Sequence, residues 1–241
     1  MTEFCKVIQT PGGIIYHSAM LGNSDINAVV ENDKLYGSMH PRNGLFFTFR
    51  IVGTHDEEIT EKEMVRAVQL AFDHWSKRAN VIIKQAQVWD QPDFRIIFRT
   101  TLNDERGQLT DNTIMYHFFP INDVSNPLRG LCVVNSDFYY STHGKAVSMH
   151  EIDPAHYDND TNASGRTIDI DQVFTHEFGH GFGLPHDKEL FQVMSSNHGF
   201  MAEFPTERDV FRMVKKYGVP KKSKSWFSRW FRYLRYRSNN Y

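Results

Sequence analysis

The stretch Thr175–Asp187, THEFGHGFGLPHD, places three histidines at intervals of four and six residues, with a glutamate directly after the first. On a helix, residues four apart project from one face about one turn apart. His176 and His180 therefore present two imidazoles side by side, with Glu177 angled to the flank. This is the HExxH arrangement, in which two histidines hold zinc and the glutamate serves as general base. A helical histidine pair by itself is equally a surface feature, and the residues after it decide. Gly183 stands where the helix must stop and turn back through a conformation that glycine adopts cheaply. His186, three residues on, is placed to supply a third nitrogen from the opposite side. Three protein ligands leave the fourth tetrahedral position to water, which is the open rather than the closed pattern of zinc site.

Working outward, the apolar spacing predicts the elements around this helix. Gly44–Val52 (GLFFTFRIV) reads as a buried strand. A capping box, Thr60 with Glu63, opens a helix that aligns Met64, Val65, Val68, Ala71, Phe72 and Trp75 on one face. Val81–Gln87, Phe94–Thr100, Thr113–Phe119 and Leu131–Ser136 are four further strands. A loop rich in Asp, Asn and Gly (153–166) precedes the histidine helix, which starts near Ile168. Thr206 caps a last helix that ends at Gly218. The order implies an α+β domain, residues 44–218, with a mixed five-stranded sheet, two long helices and a C-terminal helix. Residues 1–43 are rich in turn formers and read as an irregular extension, with room for a short hairpin around Gly13–His17.

Composition bounds the alternatives. The 241 residues contain two cysteines, Cys5 and Cys132, which excludes a disulfide scaffold. No apolar run is long enough to span a membrane. No secretory signal is seen at the N-terminus, so the reading by sequence is cytoplasmic. The net charge of −2 conceals an asymmetry: residues 219–241 carry seven Lys/Arg and no acid, against a net of −9 on the rest. On a helical wheel, Trp226, Phe227, Trp230, Phe231 and Leu234 share one side, with Arg229, Arg232 and Arg235 mostly opposite. Residues 221–237 thus suit an anionic membrane surface. The same face could instead pack on the domain, or the tail could be a disordered basic segment. Nucleic acid is a poor partner for so acidic a body.

Eight residues beyond His186 lies Met194, in FQVMSS. His176-Glu177-His180-Gly183-His186 with this methionine after it is the metzincin signature with its Met-turn. The chain resembles the matrixin (matrix metalloproteinase) family over residues 44–218. The short interval from His186 to Met194 is similar to matrixins, as are AFDHWSKRANVIIK, DFRIIFRT and IMYHFFP upstream and TERDVFRMVKKYG downstream. The resemblance implies a zinc metalloendopeptidase acting outside cells on proteins or peptides. His176, His180 and His186 would be the ligands, Glu177 the general base and Met194 the apolar floor. It makes the backbone of Thr113–Phe119 the edge to which an extended peptide adds as a strand. Met115, Tyr116, Gln172 and His198 become candidates for the substrate pocket.

The chain departs from the family in several places. Asp187 comes after the third histidine where animal matrixins usually carry serine. Histidines for a second, structural zinc are missing from 99–112 and 131–136, and His117 reads as a satisfied or exposed histidine, so one zinc ion is expected. Asp153, Asp158, Asp160 and Asp169 could take calcium but form no fixed ligand loop. Pro41-Arg42-Asn43-Gly44 has asparagine where the family's inhibitory propeptide has its thiol, and Cys5 is a lone cysteine. The chain therefore reads as made active. Two readings compete with the peptidase. One is a zinc-binding module without catalysis, which has no need of Glu177. The other is a nucleic-acid binder working through the basic tail, which the acidic body disfavours.

Overall fold

A computed structural model describes residues 3–9, 15–24, 37–42, 46–53, 60–110, 113–138, 140–141, 168–187, 189, 191–195, 202 and 204–220. Its strands in chain order are β1 (Glu3–Gln9), β2 (Ile15–Ser24), β3 (Phe47–Val52), β4 (Ile83–Gln85), β5 (Phe94–Arg99), β6 (Thr113–Phe118), β7 (Leu131–Asn135), β8 (Tyr140–Ser141) and β9 (Ile168–Asp169). The helices are α1 (Glu61–Ser76), α2 (Ile170–Gly181) and α3 (Glu207–Tyr217). The large sheet runs β1-β2-β6-β7-β5-β3-β4, and β8 and β9 form a separate parallel pair. β4, β3, β5 and β7 are parallel to one another, whereas β6 runs antiparallel to β7. The five strands expected from the sequence thus form one continuous mixed sheet in an α+β domain.

The N-terminal region holds a hairpin where the sequence leaves room for one, longer than Gly13–His17 and more regular than the extension expected around it. β1 and β2 form an antiparallel hairpin, and β2 continues the sheet by pairing antiparallel with β6. The turn formers Gly22, Asn23 and Ser24 lie within β2 itself, so composition misleads here. Pairing with a strand almost a hundred residues away leaves no local periodicity to read. Residues 37–42 also belong to the domain: Met39 is fully buried, and its amide donates to the Tyr217 hydroxyl at 3.0 Å.

α1 forms where its capping box places it. Thr60 and Glu63 satisfy each other's backbone amides, and acidic Glu61 and Glu63 sit in the first turn, where the helix dipole favours them. Its buried face, Met64, Ala67, Val68, Ala71, Phe72 and Trp75, has the three-and-four spacing of an amphipathic helix. This face packs on α2. The Phe72 and Phe178 rings stack with centroids 3.9 Å apart, and Trp75 Nε1 donates to the Thr175 carbonyl at 2.8 Å. α2 is buried nearly all round, with only Gln172 partly exposed, so its polar residues His176, Glu177 and His180 are enclosed by the domain. Alternate residues of β7 separate two cores. Cys132 and Val134 face the main core beneath the helices, while Leu131 and Val133 join Leu109, Tyr116 and Phe118 on the other side.

Candidate metal centre

Asp169 starts the histidine helix by accepting from the amides of Asp171 and Gln172 at 3.0 and 3.3 Å, which satisfies two free N–H groups of the first turn. That Asx cap gives Asp169 a structural task through its Oδ1. Asp153, Asp158 and Asp160 lie outside the described residues. The chemistry sits on one buried rod: His176, Glu177 and His180 are all fully buried. The helix ends at Phe182, and Gly183, with φ of 86°, reverses the chain. A side chain at that φ would be strained. The reversed chain brings His186 back. One ring nitrogen from each of His176, His180 and His186 lies within 4.8 Å of the others.

The hydrogen bonds fix which nitrogens face inward. His176 Nδ1 donates to the Val193 carbonyl at 2.6 Å, and His180 Nδ1 donates to the Leu184 carbonyl at 2.7 Å. A carbonyl can only accept, so Nδ1 carries the proton in both rings and Nε2 carries a lone pair. These two Nε2 atoms approach to 3.0 Å. Two neutral lone pairs so close repel unless a cation or proton sits between them. A soft-to-borderline divalent ion suits three such imidazoles, so the residues present fit zinc. Burial, then the neighbouring imidazoles, pushes His180 well below the usual histidine range. Burial and His176, with Arg212 adding to them, do the same for His186. Neutral rings are the form that binds metal. Burial pushes the Glu177 carboxyl well above the usual carboxylate range.

The supporting shell is more extensive than the motif suggests. Met194 is fully buried against α2, and a Cβ on Gly179 would collide with its sulfur. The second-last position of HExxH must therefore be glycine here, which spacing alone does not reveal. Asp209 accepts from the amides of Val193 and Met194 at 3.0 and 3.4 Å while it also caps α3 through the amide of Thr206 at 2.9 Å. One carboxylate thus fixes the Met-turn to the last helix. The Thr206–Asp209 capping pattern is visible in the sequence, but its second role is not. Asp187 is buried and pairs with Arg208 and Arg212 of α3, and its amide donates to the Met194 carbonyl at 2.6 Å. Arg212 also donates to the Pro185 carbonyl. The loop that carries His186 is therefore clamped from both sides.

Other candidates fare differently. Gln172 is partly exposed in the first turn of α2, one turn ahead of His176. Met115 is fully buried in the main core. Tyr116 is also fully buried, but on the far face of the sheet, where its hydroxyl donates to Asp104 at 3.2 Å. Strand alternation turns Tyr116 away from α2 and leaves Met115 on the side that faces it. His117 is not exposed: it is buried against Gly181 and Phe94, with Nδ1 bonded to the Phe118 carbonyl at 2.7 Å. His198 and residues 221–237 lie outside the described residues. The Arg42 amide donates to Asp93 and its guanidinium to the Val124 carbonyl, neither of them part of the histidine cluster. The edge of β6, read as the docking strand for a peptide, is paired with β2.

Helices stacked on a mixed sheet and three converging imidazoles on a helix-and-turn, with a buried methionine packed on the same helix at Gly179, define a metzincin-type zinc centre. A family model described as Matrixin matches residues 42–217, and the chain belongs to that family, whose domains are zinc metallopeptidases. A comparison with curated proteins found no match.

Proposed function

We propose that the chain is a zinc-dependent endopeptidase that hydrolyses internal peptide bonds of protein substrates. His176, His180 and His186 would hold the ion. Zinc in that position supplies a Lewis acid for the peptide carbonyl and lowers the pKa of a water molecule. Glu177 accepts a proton from the attacking water and delivers it to the departing amine nitrogen. The carbonyls of Val193 and Leu184 keep the ligand rings in the tautomer that points Nε2 inward. Gln172, one turn ahead of the ligands, and His198 remain the proposed pocket residues.

Glu177 is the observation that carries this reading. A zinc site built only for stability gains nothing from a buried carboxyl beside its first ligand, since an unneeded buried acid is costly. Glu177→Ala is expected to retain stoichiometric zinc while kcat/KM on an unfolded protein substrate falls by about 10²–10⁴-fold. Metal analysis and a cleavage assay on the same preparation separate the two properties. A zinc-loaded wild-type protein that cleaves neither unfolded proteins nor a peptide library would leave only a binding module.

A further inference from the structure

Both edges of β6 are occupied. β7 fills one. β2 fills the other, antiparallel, with Tyr16 opposite Phe118, His17 opposite His117, Ser18 opposite Tyr116, Ala19 opposite Met115 and Met20 opposite Thr113. β2 also lies against α2, the helix that carries His176, Glu177 and His180. A peptide that adds to this sheet as a strand gains its affinity from main-chain bonds to a free edge. The free edge must also be close enough to bring a peptide bond to the histidines. The next strand outward is β1, and a peptide paired beyond it would lie two strand spacings, about 10 Å, farther from β6 than β2 does. The slot beside β6 is therefore the one that matters, and the chain itself fills it.

We infer that β2 is a resident pseudosubstrate: residues 15–24 hold the peptide-docking edge of β6, and the centre accepts a substrate strand only when they leave. This rests on the endopeptidase reading above. Tethering makes the occupant effective, because a strand on a short linker competes at an effective concentration in the millimolar range. Two features make it displaceable. The pairing with β6 slips in register between Ala19 and Met20. Among the described residues its other sheet partner is β1 alone, and an isolated two-stranded hairpin is marginally stable. The sheet bonds to β6 are thus both what holds the segment and what an incoming peptide would replace. Latency of this kind needs no thiol on the metal, so asparagine at position 43 does not by itself make the chain active from the start, contrary to the expectation from sequence.

The experiment weakens the occupant in the full chain. Ser18→Pro with Ala19→Pro removes adjacent amides, so that one lost donor faces β6 whichever way the pleat falls. In a Glu177→Gln background, which prevents turnover, a fluorescein-labelled peptide of residues 13–24 is titrated onto the zinc-loaded protein. The double-proline protein is expected to bind it at least tenfold more tightly than its parent. Equal affinities in two folded proteins would overturn the inference. Hydrogen exchange on the unmodified chain supplies a readout that needs no variant: the amides of 113–118 should all exchange slowly. Alternating fast amides there would mean that the edge is open, and this result decides alone if the double-proline protein loses its near-ultraviolet circular dichroism. Restoring Glu177 tests the other reading separately. Tight binding without cleavage would remove the endopeptidase reading and leave the occupancy of β6 standing.

Discussion

His117 shows how a single side chain couples this fold to pH. It is fully buried between β6 and α2, and its Nε2 meets no hydrogen-bond partner among the described residues. Burial lowers its pKa to about 4, against 6.5 for an exposed histidine, with only a partial offset from the Phe118 carbonyl. The unfolded chain takes up a proton between those values that the folded chain refuses. Stability from this group is therefore complete above pH 6.5, falls as the pH drops toward 4, and is flat below that. The ceiling is about 3 kcal/mol, since each pH unit between the two values is worth roughly 1.4 kcal/mol. His117→Leu is expected to flatten the pH dependence of unfolding across this window. The wild-type minus variant difference in urea midpoints isolates the effect, because the ligand histidines titrate in both proteins. A difference that does not change between pH 4 and 6.5 would refute it.

Between elements, buried charge does the fastening. Asp93, at the start of β5, accepts from the Thr48 amide at 3.0 Å, the Arg42 amide at 2.9 Å and the Arg129 guanidinium at 2.9 Å. The Asp93 and Arg129 side chains are almost wholly buried. One carboxylate thus joins β3, the entry segment at residue 42 and the loop before β7. Removing one partner strands the other charge in an apolar setting, which costs roughly 3–5 kcal/mol. Asp93→Asn should lower the urea midpoint accordingly with an unchanged m-value, and adding Arg129→Met should recover part of the loss. A loss under about 1 kcal/mol for the single variant would show that the pair is not the fastening. Such links explain which features were legible beforehand. The capping box of α1, the buried strands and the ligand spacing are local patterns, and they can be read from one stretch of chain. The β2–β6 pairing, the collision that requires Gly179, the double duty of Asp209 and the outward turn of Tyr116 are relations between distant stretches. Short-range periodicity carries no trace of them.

At the scale of the molecule, charge divides an acidic body from a basic tail. Among the described residues no helix is long and apolar enough to cross a membrane. We propose instead that residues 221–237 lie on an anionic surface. The seven Lys/Arg beyond Gly218 are interleaved with Trp226, Phe227, Trp230 and Phe231. Rings of this kind bury at the headgroup boundary while guanidinium groups meet phosphate. Each basic residue near such a surface contributes roughly 1 kcal/mol. Seven of them are enough to hold an acidic body against its own repulsion, which salt screens beyond about 10 Å in any case. Full-length protein is expected to pellet with phosphatidylserine vesicles, less so as salt rises, while a chain that ends at Gly218 stays in the supernatant. Equal pelleting of the two would exclude the tail as the anchor. A drop in melting temperature on truncation, with no vesicle binding by either protein, would instead assign the aromatic face to packing against the catalytic domain.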